Sequence, residues 1–335
     1  MYKSQKIDKF FILAILLPIM IAAFRENVGT DYVNYVYMYR INARISFKEW
    51  FVMNKSFSGT RFLVWLISNL AGIFKSKELF FGIFSCITVV PVARVLRREY
   101  NDSICRLSYF IFLMTLYMTS LNICKQMAAA AIIFYGLKYV RERKFFKYCI
   151  IILIASMIHI TAVVSIFIYF LYDNKKSIFS MRKILIFFVS IILVISFPNV
   201  LYLMGGRFKS YLLFQREISN KRFILSILWN VIFLFFYKSY VRLNSKNICF
   251  ITMSIIGLLL ETTGFYSPYI KRIALYYTFP QFLLIAQFPY IQNFLYYRHI
   301  IQLLICFYFG FIFIFTFYIL GQANVIPYSF FGGTL

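Results

Sequence analysis

The sequence predicts an all-α polytopic integral membrane protein with about 10–12 transmembrane or re-entrant helices. Three observations predict it. Of 335 residues, 62% are hydrophobic and 21% aromatic. The charged fraction is 14%, against about 25% in soluble domains. Mean hydropathy is +0.76, and long apolar runs recur from end to end, where about 20 apolar residues suffice for one crossing. No stretch is long and polar enough for a separate soluble domain, so residues 1–335 read as a single transmembrane domain.

Apolar segments fall near 10–24, 62–74, 79–96, 104–122, 124–140, 145–172, 184–204, 223–237, 248–264, 273–288 and 300–320. The first follows Lys3, Lys6 and Lys9 and lacks a small-x-small cleavage site, so it reads as a retained helix. Basic clusters belong on the cytoplasmic side; the strongest are Lys3/Lys6/Lys9, Arg94/Arg97/Arg98/Arg106, Arg141/Arg143/Lys144/Lys147, Lys175/Lys176/Arg182/Lys183 and Lys238/Arg242/Lys246. Placing all five inside conflicts with simple alternation at two points. The conflict is solved if the short 62–74 run is interfacial or re-entrant and the long 145–172 run breaks near His159. Residues 25–78 then form an extracytoplasmic segment, and 205–222 a second outer loop.

The net charge is +25. Its basic residues alternate with apolar runs, so lipid headgroups, not nucleic acid, are the expected partner. The outer segments nevertheless hold sixteen Lys/Arg against six acids. A surplus that opposes the topology rule fits an anionic substrate such as a pyrophosphate, whose oxygens match the arginine fork. The six cysteines are scattered and read as buried apolar residues, neither a disulfide nor a metal framework.

The stretch Phe24 to Tyr35 is the most distinctive. Gly29 permits a positive φ and close backbone approach. Asp31 is placed to pair with Arg25 or to accept a proton from a hydroxyl, and Tyr32 and Tyr35 can stack on sugars. The plain alternative is an interfacial loop with a tyrosine belt. A second stretch opens an alanine-rich helix with Lys125 and Gln126. Small residues allow close helix packing, and the plain reading of Lys125 is snorkelling to the headgroups. His159 stands amid 28 apolar residues, as a structural hydrogen-bonded imidazole or an acid/base group. Arg272 and Tyr276 open a helix near the C-terminus, and Asn324 to Tyr328 follow the last one.

Absences narrow the chemistry. The sequence has no Asp-x-Asp, no Walker-type glycine loop, no His-Glu-x-x-His and no Gly-x-Ser-x-Gly. What is left is a site rich in arginine, with no metal and no cofactor expected.

Taken in order, these pieces resemble the EpsG-like branch of Wzy-type polysaccharide polymerases. The pattern Arg-x-x-x-Gly-x-Asp-Tyr-x-x-Tyr is met by Arg25, Gly29, Asp31, Tyr32 and Tyr35. An Arg-Gln-x-x-Ala helix start is met by Lys125, Gln126 and Ala129, an Ala-x-x-x-His by Ala155 and His159, an Arg…Tyr helix by Arg272 and Tyr276, and a terminal Pro-Tyr by Pro327 and Tyr328. The departure is Lys125, which keeps the charge but loses the bidentate fork. The resemblance implies a multi-pass protein of the bacterial cytoplasmic membrane that joins polyprenyl-pyrophosphate-linked oligosaccharides at the outer face into O-antigen, capsule or exopolysaccharide. A chain-length regulator is an expected partner. It implies pyrophosphate and sugar contacts from Arg25, Gly29, Tyr32, Tyr35, Lys125, Gln126, Arg272 and Tyr276. His159 is favoured as base or positioning group, with Asp31 chiefly orienting Arg25 or a sugar hydroxyl. The rival is a flippase of lipid-linked oligosaccharides, which should show internal repeats and charges at mid-membrane depth.

Overall fold

The structure, a computed structural model, describes residues 9–53, 60–172, 181–204, 220–262 and 270–330. Among them the backbone is helical between short turns, and the β pairing consists of one isolated antiparallel bridge, Arg25 to Phe330. Two helical stretches are long and apolar enough to cross a membrane unaided, Lys77–Glu99 and Arg298–Ile319, and shorter apolar helices accompany them. Large apolar side chains such as Phe10, Leu304, Phe307 and Phe311 lie exposed, as lipid-facing residues do. This is an all-α polytopic membrane architecture.

The chain forms two compact units. The first comprises residues up to Gly136, Ile150–Val163 and everything from Gln302 on; the second comprises Leu137–Cys149 and Val164–Ile301.

In the first unit, α1 (Lys9–Ala23) packs along α5 (Lys77–Glu99), and α2 (Tyr32–Asn42) and α4 (Phe62–Ile73) pack on each other and on α5. The small helix α3 (Phe47–Met53) lies between α2 and α4 in sequence. Twelve residues of α4 rise about 18 Å, well short of a hydrocarbon core of about 30 Å, so α4 cannot cross upright. Next come α6 (Asp102–Phe112), a π-helical turn at Leu113–Tyr117, and α7 (Met118–Ser120). The run continues with α8 (Cys124–Arg141), which belongs to this unit as far as Gly136. Its Ala128, Ala129, Ala130 and Ala131 are buried, the small-residue packing expected of helices in lipid. The apolar run 145–172 breaks as expected: α9 (Phe145–Ser156) ends before His159, and a 3₁₀ helix, Ile160–Phe167, follows. Finally α17 (Arg298–Phe313), part of this unit from Gln302 on, precedes the C-terminal segment.

Pro18 shows how this unit satisfies its backbone. Proline lacks an N–H, so the carbonyl four residues back loses its helical donor, and in lipid no water replaces it. The Tyr109 hydroxyl donates to that orphan, Ala14 O, at 2.7 Å. Tyr117 donates to Pro18 O at 2.6 Å, and Tyr328 to Ile21 O.

The second unit contains α10 (Ile168–Leu171), α11 (Met181–Met204), α12 (Asn220–Phe235), α13 (Tyr237–Leu243) and α14 (Asn247–Glu261). A 3₁₀ turn at Ile270–Ala274 leads into α15 (Leu275–Thr278) and α16 (Gln281–Gln287). Helix α14 is the hub, packing against α10, α11, α12, α13, α15 and α16 and against the 3₁₀ turn. Its Ser254 donates to Asn230 Oδ1 and accepts from Gln281 Nε2, both at 2.8 Å. Gly257 lies so close to Thr278 that a Cβ there would meet its methyl at 2.5 Å.

The cysteine expectation is corrected in part. All six are free thiols, but only Cys124 and Cys249 are fully buried and Cys86 is exposed, on the apolar surface of α5.

The Pro18 geometry makes a testable point. Tyr109→Phe should lower thermal stability in detergent by about 1 kcal/mol. In a Pro18→Ala background, where an N–H again serves Ala14 O, the same substitution should be close to neutral.

Candidate functional site

The loop after α1 is shaped by its backbone. Asn27 has φ 53° and Gly29 φ 99°, so the chain reverses within a few residues. Gly29 is required twice over, because a Cβ at that position would stand 2.7 Å from Leu121 O. The C-terminal segment clamps the loop from one side: Glu26 N donates to Ser329 O at 2.9 Å, Gly29 N to Asn324 O at 2.8 Å and Thr30 N to Ala323 O at 2.9 Å. Ser329 Oγ also donates to Glu26 O. The turn before α8 holds it from another side, with Asn122 Oδ1 accepting from Thr30 Oγ1 at 2.8 Å and Asp31 N at 2.9 Å.

Arg25 stands inside this clamp, 2% exposed. Its Nη1 donates to Leu121 O at 2.5 Å. The guanidinium carbon lies 4.3 Å from the centroid of Phe81, whose ring in turn stacks on Tyr32 at 5.1 Å and 18°. Nε is buried without a hydrogen-bond partner among the described residues. Burial pulls the guanidinium pKa down from its ordinary value, opposed by the nearby Cys124, Tyr35, Tyr117 and Tyr32 side chains. All four of these are uncharged at neutral pH.

No carboxylate pairs with Arg25 among the described residues. Glu26, its neighbour, is engaged with Lys77 instead, beside the buried Tyr32 hydroxyl, whose pKa burial raises. The expectation that Asp31 orients Arg25 is therefore corrected. Asp31 sits before the first residue of α2 without capping it through its side chain. Its backbone is tied in, the N–H to Asn122 Oδ1 and the carbonyl to Tyr35 N, while the guanidinium is turned toward Leu121 and Phe81.

Tyr32, Tyr35 and Tyr39 lie on the buried stripe of α2, at i, i+3 and i+7. They share one apolar cluster with Phe80, Phe81, Cys124, Ala128 and Ile158. That cluster joins the first loop, the start of α8 and the break beside His159. Lys125 leans into it, its Nζ 5.5 Å from the Tyr35 centroid and 3.4 Å from Met38 Sδ. Gln126 is 2% exposed. His159 is half-buried, its Nδ1 2.7 Å from Thr161 Oγ1. The break holding it is anchored where Leu63 N, at the start of α4, donates to Met157 O at 3.0 Å.

Eight of the ten expected site residues thus belong to the first unit. Arg272, half-buried on the 3₁₀ turn, and Tyr276, buried on α15, belong to the second. Most of the expected outer loop, 205–219, lies outside the described residues. The sequence reading missed Phe81, the Leu121 carbonyl, Asn122 and the Glu26–Lys77 pair; Asn324 and Tyr328 carried the one legible signal of the clamp.

The chain matches the family model described as the EpsG family over residues 8–330, nearly its whole length, and it belongs to that family. EpsG-like proteins are Wzy-type polymerases. No curated protein and no solved structure matches it.

Gly29→Ala should cost more than about 1 kcal/mol, because the native φ is unfavourable for alanine and the new methyl meets Leu121 O. It should also displace that carbonyl from Arg25. Thermal stability and polymer formation are expected to fall together, with Gly136→Ala, outside the clamp, changing stability without the same loss of product per folded molecule.

Proposed function

We propose that this member of the EpsG family joins oligosaccharide repeat units carried on polyprenyl pyrophosphate, at the outer face of the bacterial cytoplasmic membrane. One observation carries the reading: a buried guanidinium at a membrane boundary with no carboxylate paired to it among the described residues. Arginine cannot shed its charge, and a buried charge without a counter-ion costs several kcal/mol. An anionic ligand supplies the missing partner, and a pyrophosphate does so with oxygens spaced for a planar fork.

The chemistry follows from the leaving group. An acceptor hydroxyl oxygen bonds to the anomeric carbon of the growing chain while the bond from that carbon to the pyrophosphate oxygen breaks. The acceptor proton passes to a base, and the lipid pyrophosphate leaves carrying the negative charge. Arg25 stabilises that charge as it develops, in a site already organised for it. Lys125 adds a second positive charge beside Tyr35. His159 takes or positions the acceptor proton, and Asp31, freed from Arg25, is available to a sugar hydroxyl. Tyr32 and Tyr35 are buried in the cluster, so they pack around Arg25 more than they offer open stacking faces. Arg272 and Tyr276 are assigned to the substrate from the family pattern.

The sidedness comes from the basic clusters. Cysteines replacing the exposed Lys48 and Glu142 in a cysteine-free protein should react with an impermeant reagent from opposite sides of the membrane. Labelling from one side would overturn the assignment of residues 25–78 to the outside.

The reaction is tested with purified protein and a synthetic lipid-linked repeat unit. Arg25→Ala should abolish polymer while protein remains in the membrane, and Arg25→Lys should rescue poorly because the fork is lost. Arg272→Ala is assayed in parallel. Normal polymer length from Arg25→Ala would rule the reading out. His159→Gln should slow elongation by about 10²–10⁴. A dead Asp31→Asn with unchanged His159→Gln would exchange the two roles.

A further inference from the structure

Helices α1 and α5 run antiparallel, and each end of the pair is marked by a charge. At one end Glu26, just past α1, pairs with Lys77, the first residue of α5. At the other, the Arg97 guanidinium sits 4.3 Å from the centroid of Phe11. Twenty residues of α5 separate Lys77 from Arg97, a rise of about 30 Å, the thickness of the hydrocarbon core. At this far end α1, α5 and α6 enclose a cavity of about 540 Å³, within the size range of small-ligand sites.

The cavity has two chemistries. Phe10, Phe11 and Leu96 form an apolar wall, and Arg97, Arg106 and Asp102 supply charge, two positive against one negative. Phe10 is 78% exposed, so the apolar side opens laterally toward lipid. Arg106 and Asp102 are exposed, so the charged side faces the headgroup layer.

We propose that this cavity binds an anionic phospholipid of the leaflet opposite Arg25, its phosphodiester against Arg97 and Arg106 and an acyl chain along Phe10 and Phe11. A soluble anion has no use for the apolar wall, and a headgroup of net negative charge suits a lining with two guanidiniums better than a zwitterionic one. Basic pockets between transmembrane helices recognise headgroups in this way. The site lies one bilayer thickness from Arg25, so it is separate from the proposed polymerase site and does not depend on that assignment.

The test uses the full-length protein in detergent, with phosphatidylglycerol or phosphatidylcholine of identical acyl chains, read by native mass spectrometry. Wild type should retain phosphatidylglycerol in preference to phosphatidylcholine. The double variant Arg97→Gln/Arg106→Gln should lose that preference, by about fivefold per arginine removed. Arg94→Gln is the control: Arg94 lies toward the same end of α5 but faces Tyr135, at 6.0 Å, and should keep the preference. Ala14→Phe fills the cavity from the α1 wall without changing charge and should also abolish retention, which decides the matter if the double variant does not fold. Equal retention of the two lipids by wild type, full preference in the double variant or in Ala14→Phe, or loss of preference in Arg94→Gln as large as in the double variant would each overturn the site. Complete displacement of phosphatidylglycerol by inorganic phosphate alone would also overturn it, since the acyl chain would then contribute nothing.

Discussion

The first unit is organised around burying the charge of Arg25 without neutralising it. Two contacts make the burial tolerable. The Leu121 carbonyl lies just past the end of α7, where helix carbonyls lack partners and carry the negative end of the dipole. The Phe81 face offers its quadrupole, and a desolvated cation over an aromatic ring gains about 2 kcal/mol. Neither contact supplies a full negative charge. That deficit is what the proposed anionic ligand relieves. A carboxylate in that position would give a more stable resting protein and a poorer anion site.

The backbone around Arg25 carries strain consistent with this. Five non-glycine residues have positive φ among the described residues: Asn27, Lys75, Arg143, Ala323 and Asn324. Three of the five belong to the first loop and the segment that clamps it. The two positive-φ glycines, Gly29 and Gly321, belong there too. Such conformations cost about 1–3 kcal/mol each for residues with a Cβ, and they persist only where surrounding contacts dictate them. Here the contacts are long-range backbone hydrogen bonds joining residues some three hundred positions apart. The loop is therefore set by parts of the chain that must all be in place first: the end of α1, the turn at Leu121–Asn122 and the segment after α17.

Much of this fold was legible because lipid imposes one strong rule. Apolar runs marked α1, α4, α5, α8 and α14 to within a few residues, and the anomalous length of 145–172 correctly predicted its break at His159. Where the rule weakens, so did the reading. Helix α2 is rich in tyrosine, asparagine and arginine and α3 has only seven residues, so neither carries a membrane signal, and only the motif and not its helical stripe was visible. The run 273–288 concealed a turn at Pro280, between α15 and α16, because apolar content alone does not report a kink. The grouping of Arg25, Tyr35 and Lys125 was foreseeable as types at a boundary. The partner of Arg25 was not. A nearby carboxylate in sequence, Asp31, invited an ion pair, whereas the actual acceptor is a backbone carbonyl nearly a hundred residues away, which no side-chain pattern can announce.

The two cations of the first unit differ in ways that suit the proposed reaction. Arg25 is planar, buried and fixed between a carbonyl and a ring, so it presents its charge in one orientation and needs no reorganisation as negative charge develops. Lys125 is a compact ammonium on a flexible stem, half-buried against the Tyr35 face and the Met38 sulfur. A polymerase must hold its leaving group firmly during bond cleavage and release it afterwards. A fixed guanidinium serves the first need, and an adaptable ammonium serves the second. On this view the lysine that departs from the family's arginine is compatible with catalysis, since only one of the two positions has to supply the rigid fork.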